Sequence, residues 1–312
     1  MLDLKRLRVL REVAKRGSFS AAADALYLSQ SAVSQHVATL EREVGMPLLE
    51  RTRQGPRLTQ AGEVLVFHAE AALARLAEAE RELQALAGLE GGELRVASFP
   101  SASAALLTRA VSVFVERHPR VRLSVSEAEP EQSLPRLRAA ELDLALAFDY
   151  PTRPAEQDRD LEWTLLLTES LHVVLPAGHE FASRERVDLA ELSDEAWLCG
   201  VCGSSCGQVV KDICREAGFE ARVAFESDDY HVLQGFVAAG LGVTLLPDLA
   251  LPTLRSDVVV RPTLQPSPQR RVWAVTRADP GRSPATGPML EVLREVGRQF
   301  ERERTRLRAV AA

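Results

Sequence analysis

The 312-residue chain has no apolar run approaching the roughly 18 residues that a membrane span needs. Its N-terminus carries Lys5, Arg6, Arg8 and Arg11 rather than the apolar core of a secretory leader. A cytoplasmic protein with no membrane partner is expected. Cysteine is scarce: four residues, all between Cys199 and Cys214. So few, so clustered, fit a reducing compartment better than a disulfide scaffold. The motifs of several enzyme classes are missing as well. There is no phosphate loop, nucleophile elbow, HExxH or GxGxxG. The six histidines (36, 68, 118, 172, 179, 231) are scattered, with no repeat at ligand spacing. No catalytic residue, cofactor or metal ion is therefore expected.

A hydrophobic content of 46% with 26% charged residues is ordinary for a soluble globular protein of two or three domains. Net charge is −6, which taken alone argues against nucleic acid. Its distribution argues the other way. Residues 1–62 hold ten Lys or Arg against six acids, leaving −10 on the remainder. A basic head on an acidic body is the pattern of a DNA-binding module joined to one that does not bind.

The head is organised around GSFSAAADALYLSQSAVSQHVATL, residues 17–40. A short alanine-rich helix with Ser18 or Ser20 as N-cap leads through Tyr27-Leu28-Ser29 into a second helix capped by Ser29. Val33, Val37, Leu40 and Val44 give the second helix one apolar face. Its first turns offer Gln30, Ser31, Ser34, Gln35 and His36. Amides can hold adenine through two hydrogen bonds, and small hydroxyls let the backbone approach phosphate. This is the arrangement by which a helix-turn-helix enters the major groove; the alternative is an ordinary alanine-packed helical hairpin. Leu48 to Leu58 then makes two short extended pieces around Gln-Gly-Pro, a candidate wing. Its Arg51, Arg53 and Arg57 suit the sugar-phosphate backbone or minor groove. A solvated loop is the alternative there.

Thr59 should cap a helix of about 30 residues, some 45 Å long. Leu65, Ala69, Ala72, Leu76, Ala79, Leu83 and Leu86 form an a/d seam. Such a seam needs a partner helix, so Leu65, Leu76, Leu83 and Leu86 are expected to build a homodimer or homotetramer. Gly88, Gly91 and Gly92 would end the helix as a hinge.

Residues 1–90 resemble the LysR-type transcriptional regulators. The run FSAAADALYLSQSAVSQHVATLEREVGMPLLERTRQGPRLTQAGE follows that family's N-terminal signature, departing at Leu49-Glu50, where the family usually has Phe. The resemblance continues to the C-terminus.

From residue 93, apolar strands alternate with helices, as parallel strands covered on both faces should. LEWTLLLTESLHVVLP (161–176) is long enough to cross between lobes. VVVRPTL and RRVWAVT would return to the first lobe, and the last helix starts near Pro284. The resemblance implies the same architecture. The expected whole is an α+β multidomain chain: a winged helix-turn-helix over 1–58, a linker helix over 59–91, and a two-lobed α/β periplasmic-binding-protein-like effector domain over 92–312. Lobe I would take 92–165 and 268–312, and lobe II 166–267.

Ligands of open α/β sheets bind beyond the strands' carboxyl ends, where helix N-termini offer N–H groups. That rule selects Ser98, Phe99, Ser101, Ser103, Glu127 and Asp149 in lobe I. In lobe II it selects Gly200, Ser204, Ser205 and Asp228. Several of these serines and Asp228 could equally be helix caps. The resemblance makes the hydroxyl of Ser101 a usual effector contact. Glu127 and Asp149 would oppose an anionic effector.

The expected function is a regulator that binds promoter double-stranded DNA as an oligomer and answers to a small-molecule effector between the lobes. One alternative is a redox- or metal-responsive regulator on the same scaffold using Cys199, Cys202, Cys206 and Cys214. Zinc would want a second tight cysteine pair, and a buried cysteine is commonly only a small hydrophobe. The other is an α/β solute-binding protein or enzyme with no DNA role.

Overall fold

A computed structural model describes residues 2–52, 55–86, 92–156, 159–264, 266–278 and 283–311. The chain divides into two compact units, Met1–Gly88 with Ala139–Glu141, and Leu89–Arg138 with Leu142–Ala312.

The N-terminal unit begins with α1 (Leu4–Arg16), α2 (Phe19–Leu26) and α3 (Gln30–Val44). Local chemistry sets their ends. Asp3, Ser18 and Ser29 accept the free N–H groups of Arg6, Ala21 and Ala32. Gly17 and Gly45 close α1 and α3 with left-handed φ of 61° and 76°. Val9, Val13, Ala22, Ala23, Val33 and Val37 pack into one small core, and Leu7, Leu10, Leu40, Leu48 and Ala69 into another. The alanines let α2 lie close to its neighbours.

The wing is an antiparallel pair, β1 (Leu49–Thr52) and β2 (Gly55–Leu58), in register Leu49↔Leu58 and Thr52↔Gly55. Gly55 thus lies in β2 rather than in the Gln-Gly-Pro turn expected. Its φ is 117°, and a Cβ there would come within 2.6 Å of the Gly17 carbonyl oxygen, so only glycine fits.

Helix α4 (Gln60–Leu86) follows, with the Thr59 hydroxyl accepting from the Gly62 N–H at 3.1 Å. Its apolar seam is not uniform. Leu65 packs with Val66 and the buried Ala69 into the head's own core, so it is not a free dimer contact. A seam read from spacing alone cannot tell an intrachain cover from a partner helix. Farther along the seam Leu76 is exposed; Val64 and Phe67 are exposed too, but on other sides of the helix. The side chains of Leu83 and Leu86 lie outside the described residues.

The C-terminal unit holds β3 (Glu93–Ser98), α5 (Pro100–Ala102), a π-helical turn (Ser103–Leu107) and α6 (Thr108–Arg117). Next come β4 (Arg122–Glu127), α7 (Pro130–Arg138), β5 (Leu144–Asp149) and β6 (Leu161–Pro176). Then follow β7 (Ala196–Cys199), α8 (Ser205–Glu216), β8 (Arg222–Glu226), α9 (Tyr230–Ala238) and β9 (Thr244–Pro247). The chain ends through β10 (Val258–Pro262), β11 (Gln269–Arg277) and α10 (Thr286–Ala311).

One sheet runs in the order β10-β6-β11-β5-β3-β4, with β9 also on β6. Strand β6 joins two lobes. Leu161–Ser170 pairs with β11, which pairs on with β5; Leu171–Pro176 pairs with β9 and β10. Strand β10 therefore stays with the second lobe instead of returning to the first. It covers the far half of β6, which would otherwise leave backbone donors and acceptors unpaired. Strand β4 is the other departure: it is an edge strand with Val125 exposed, not apolar and buried throughout.

Candidate functional site

In the head, α3 presents Ser29, Gln30, Ser31, Ser34 and Gln35 on its exposed side, with His36 half-buried at their margin. The Ser29 hydroxyl caps the helix and lies 2.9 Å from that of Ser31. Arg57 is exposed on β2. The side chain of Arg51 and the whole of Arg53 lie outside the described residues. Sequence reasoning passed over Tyr27, which closes α2 at a left-handed φ of 54° and is 97% exposed. With Lys5 and Arg8 it lines a groove of about 240 Å³ beside the turn.

In the C-terminal unit a cavity of about 10 Å³, room for one water molecule, lies between the lobes. Phe99, Pro100 and Ser101 line it at the start of α5, Glu129 before α7, and Phe148 at the end of β5. Lobe II supplies Cys206, Asp228 and Tyr230, and β11 supplies Arg270.

Arg270 is the centre of this site. Its Nε donates to Glu169 Oε1 at 2.7 Å and its Nη2 to the Ser101 hydroxyl at 3.0 Å. Nη1 reaches the Tyr230 hydroxyl at 3.5 Å. The guanidinium also stands 5.0 Å from the ring centres of Phe99 and Phe148. Glu169 in turn accepts the Leu249 N–H at 2.7 Å. One side chain thus touches lobe I, lobe II and the crossover strand β6. Burial works against the charge on Arg270, yet Glu169 and the neighbouring Tyr230, Tyr150 and Cys206 hold its pKa above the usual value. Burial raises the pKa of Glu169, with Arg270 opposing.

Cys206 Sγ sits 3.8 Å from the Tyr150 hydroxyl and 3.9 Å from that of Tyr230. Burial pushes its thiol up to about 11. Burial likewise lifts Cys199 to about 11 and Cys214 to about 12, while Cys202 is exposed. No group of His, Cys, Asp and Glu that could hold a metal ion occurs among the described residues.

The expected effector residues separate into three groups. Phe99, Ser101 and Asp228 meet at the cavity. Ser204 and Ser205 stand at its rim: Ser204 caps α8 and donates to Asp228 at 3.1 Å, and Ser205 donates to Glu131 at 2.6 Å across the mouth. Gly200 backs the same turn, where a Cβ would meet the Gly207 nitrogen at 2.6 Å.

The rest lie elsewhere. Ser98 and Ser103 hydroxyls donate to backbone carbonyls of Phe99 and Ser98. Glu127 is exposed on the edge strand. Asp149, expected at the cleft because it ends a strand, is taken up by Arg271 (2.8 and 2.7 Å), Trp273 (2.9 Å) and the Ala155 N–H (2.9 Å). Its side chain leaves the opposite face of the sheet, as alternation along a strand requires.

Arg270, Glu169, Glu129, Tyr150 and Tyr230 were not anticipated. The available signal was Glu169, an acid in the middle of the apolar run LEWTLLLTESLHVVLP whose other acid, Glu162, stands at its start, since an ion there demands a buried partner.

Residues 4–63 match the bacterial regulatory helix-turn-helix domain of the lysR family, and residues 87–298 match the LysR substrate binding domain. The chain is 32% identical over 294 residues to a probable regulator, LrrA, of Synechococcus elongatus, covering 94% of this chain and 97% of that one. It is 29% identical over 317 residues to a hydrogen peroxide-inducible genes activator of Dickeya chrysanthemi, covering both chains fully. Among solved structures, a full-length OxyR variant from Pseudomonas aeruginosa superimposes with a TM-score of 0.69 at 26% identity, over 96% of this chain and 95% of that one. With both signature domains in place and matched over most of its length, the chain belongs to the LysR family of DNA-binding transcriptional regulators, and it is not an enzyme.

Proposed function

We propose that this LysR-type regulator holds its operator with α3 and the wing, and senses a small molecule seated in the cavity between its lobes. The observation that carries the reading is Arg270, whose contacts reach Ser101, Tyr230 and Glu169 at once. A ligand that alters any of these contacts changes how the lobes are tied. The working division is 1–58 for DNA, 59–91 for assembly and 92–312 for sensing, with lobe I over 92–165 and 268–312 and lobe II over 166–267. The exposed Leu76 on the α4 seam supports assembly as a homo-oligomer. Among the described residues no helix is long and apolar enough to cross a membrane, and DNA as the partner supports a cytoplasmic location. The test is a footprint on the DNA upstream of the reading frame with Ser101→Trp. The variant should bind DNA normally and lose its effector response, because the head is a separate unit.

A second reading, peroxide sensing through Cys206, is favoured by the place of that thiol in the cavity wall and by the Dickeya relative's name. Burial counts against it, since a thiol raised to about 11 carries little thiolate at neutral pH. Thiol titration after peroxide treatment, alongside a Cys206→Ser footprint, separates the two. The effector reading expects Cys206 to stay reduced and Cys206→Ser to keep responding.

A further inference from the structure

The described lining of the cavity between the lobes holds one cation, Arg270, and two acids, Glu129 and Asp228, and they are not equally committed. Arg270 is neutralised by Glu169, and both side chains are almost wholly buried. Much of its charge is therefore balanced before any ligand arrives. Asp228 accepts from the Val201 N–H at 3.0 Å and from the Ser204 hydroxyl. Glu131 accepts from Ser205. Glu129, half-buried in the lining, has no side-chain hydrogen bond or ion pair with any described residue.

In this small, partly open cavity Glu129 has no bonded counter-ion among the described residues, and only the nearby charge of Arg270 opposes its repulsion by other acids. We propose that the effector is a small organic cation, an amine or guanidine, whose charged end seats against Glu129. The proposal rests on reading this cavity as the effector site.

The acids around Glu129 act in one direction and Arg270 in the other. Glu131 on α7, Glu127 on β4 and Asp228 before α9 repel an anion as they repel the charge on Glu129. Phe99, Phe148 and Tyr230 give the lining its aromatic character, with the Arg270 guanidinium already over the rings of Phe99 and Phe148. Arg270 on β11 opposes, though Glu169 largely spends its charge. Cys206 on α8 faces Glu129 as a neutral thiol.

The cavity as it stands admits about one water molecule, so a ligand must part the lobes and strain the Ser205–Glu131 contact across the mouth. Binding therefore selects a more open arrangement, and the effector acts by that difference.

Burial first, and then repulsion from Glu131, Asp228 and Glu127, lifts the Glu129 carboxyl to about 7. The cation competes with that proton. Affinity should rise up to about tenfold per pH unit below 7 and level off above it.

The test uses the full-length chain in thermal-shift and calorimetric titrations at pH 6, 7 and 8. The cationic probes are 1,4-diaminobutane, (4-aminobutyl)guanidine and benzylamine; the anionic probes are glutarate and benzoate. At least one cation should raise Tm at pH 8, bind about tenfold more weakly at pH 6, and lose at least tenfold in Glu129→Gln. Glu129→Asp, which keeps the charge, should retain part of the affinity. No cation binding at any pH, or equal binding by Glu129→Gln, overturns the proposal. Ser101→Trp separates this failure from failure of the site itself. A carboxylate that binds the wild type but not Ser101→Trp keeps the cavity as the effector site and ends the cation assignment. Cation binding that survives both Ser101→Trp and Glu129→Gln ends both.

Discussion

Glu169 on β6 and Arg270 on β11 are register partners on neighbouring antiparallel strands, and their side chains meet at 2.7 Å with almost no exposure to solvent. Removing one partner strands the other charge in a dry interior, which typically costs about 3–5 kcal/mol. Arg270→Leu and Glu169→Leu should each lower the unfolding free energy by that order, and the urea midpoint with it. The double variant should recover much of the loss, because two apolar residues leave no uncompensated charge. Equilibrium unfolding of all four proteins measures the coupling, and strictly additive losses would remove the pair from the account of stability.

The raised carboxyl of Glu129 has a consequence without any ligand. Its folded pKa of about 7 lies above the ordinary 4.5, so the native state holds a proton that the unfolded chain releases between those values. Its contribution is fully present below pH 4.5 and is lost as pH rises through 7. Glu129→Gln, which cannot ionise, should match the wild type near pH 5 and exceed it near pH 8 by of order 2–3 kcal/mol. Chemical denaturation at the two pH values reads this difference directly. Equal stability at pH 8 would mean that Glu129 titrates in the normal range.

On the DNA side, Gln30 and Gln35 stand exposed on the first turns of α3. Replacing either with Ala should weaken the specific site by about 1–3 kcal/mol and leave random DNA nearly untouched. Arg57→Ala should weaken both alike and reduce the salt slope by about one. Binding isotherms at several salt concentrations distinguish the two behaviours, and unchanged sequence preference in both glutamine variants would move the reading surface elsewhere.

Assembly rests on the open face of α4. Leu76, on the seam, is 44% exposed, which suits a partner's apolar face better than water. Leu76→Asp should dissociate the oligomer and abolish tight binding to a two-half-site operator, as sedimentation and gel shift would show. Leu65→Asp should act differently. It should lower the stability of the head itself, because Leu65 packs into that unit's own core.

The recognition helix was legible in the sequence because everything that defines it is local. Ser29 before it, Gly45 after it, and Val33, Val37 and Leu40 on one face lie within seventeen residues and need no distant partner. The alternation of strands and helices in the second unit was legible for the same reason. What spacing could not settle was which surface covers an apolar face. The α4 seam reads alike whether the cover is the head's own core, as at Leu65, or another chain. Strand β10 reads alike whichever lobe receives it. The cavity lay further out of reach. Ser101, Glu169, Tyr230 and Arg270 are separated by up to 169 positions. They meet only because strand register sets Arg270 opposite Glu169 and the two lobes close on that pair. Periodicity tells which side of a strand a residue takes, but not what it will face there. That choice belongs to the tertiary structure, which must give a buried ion its counter-ion.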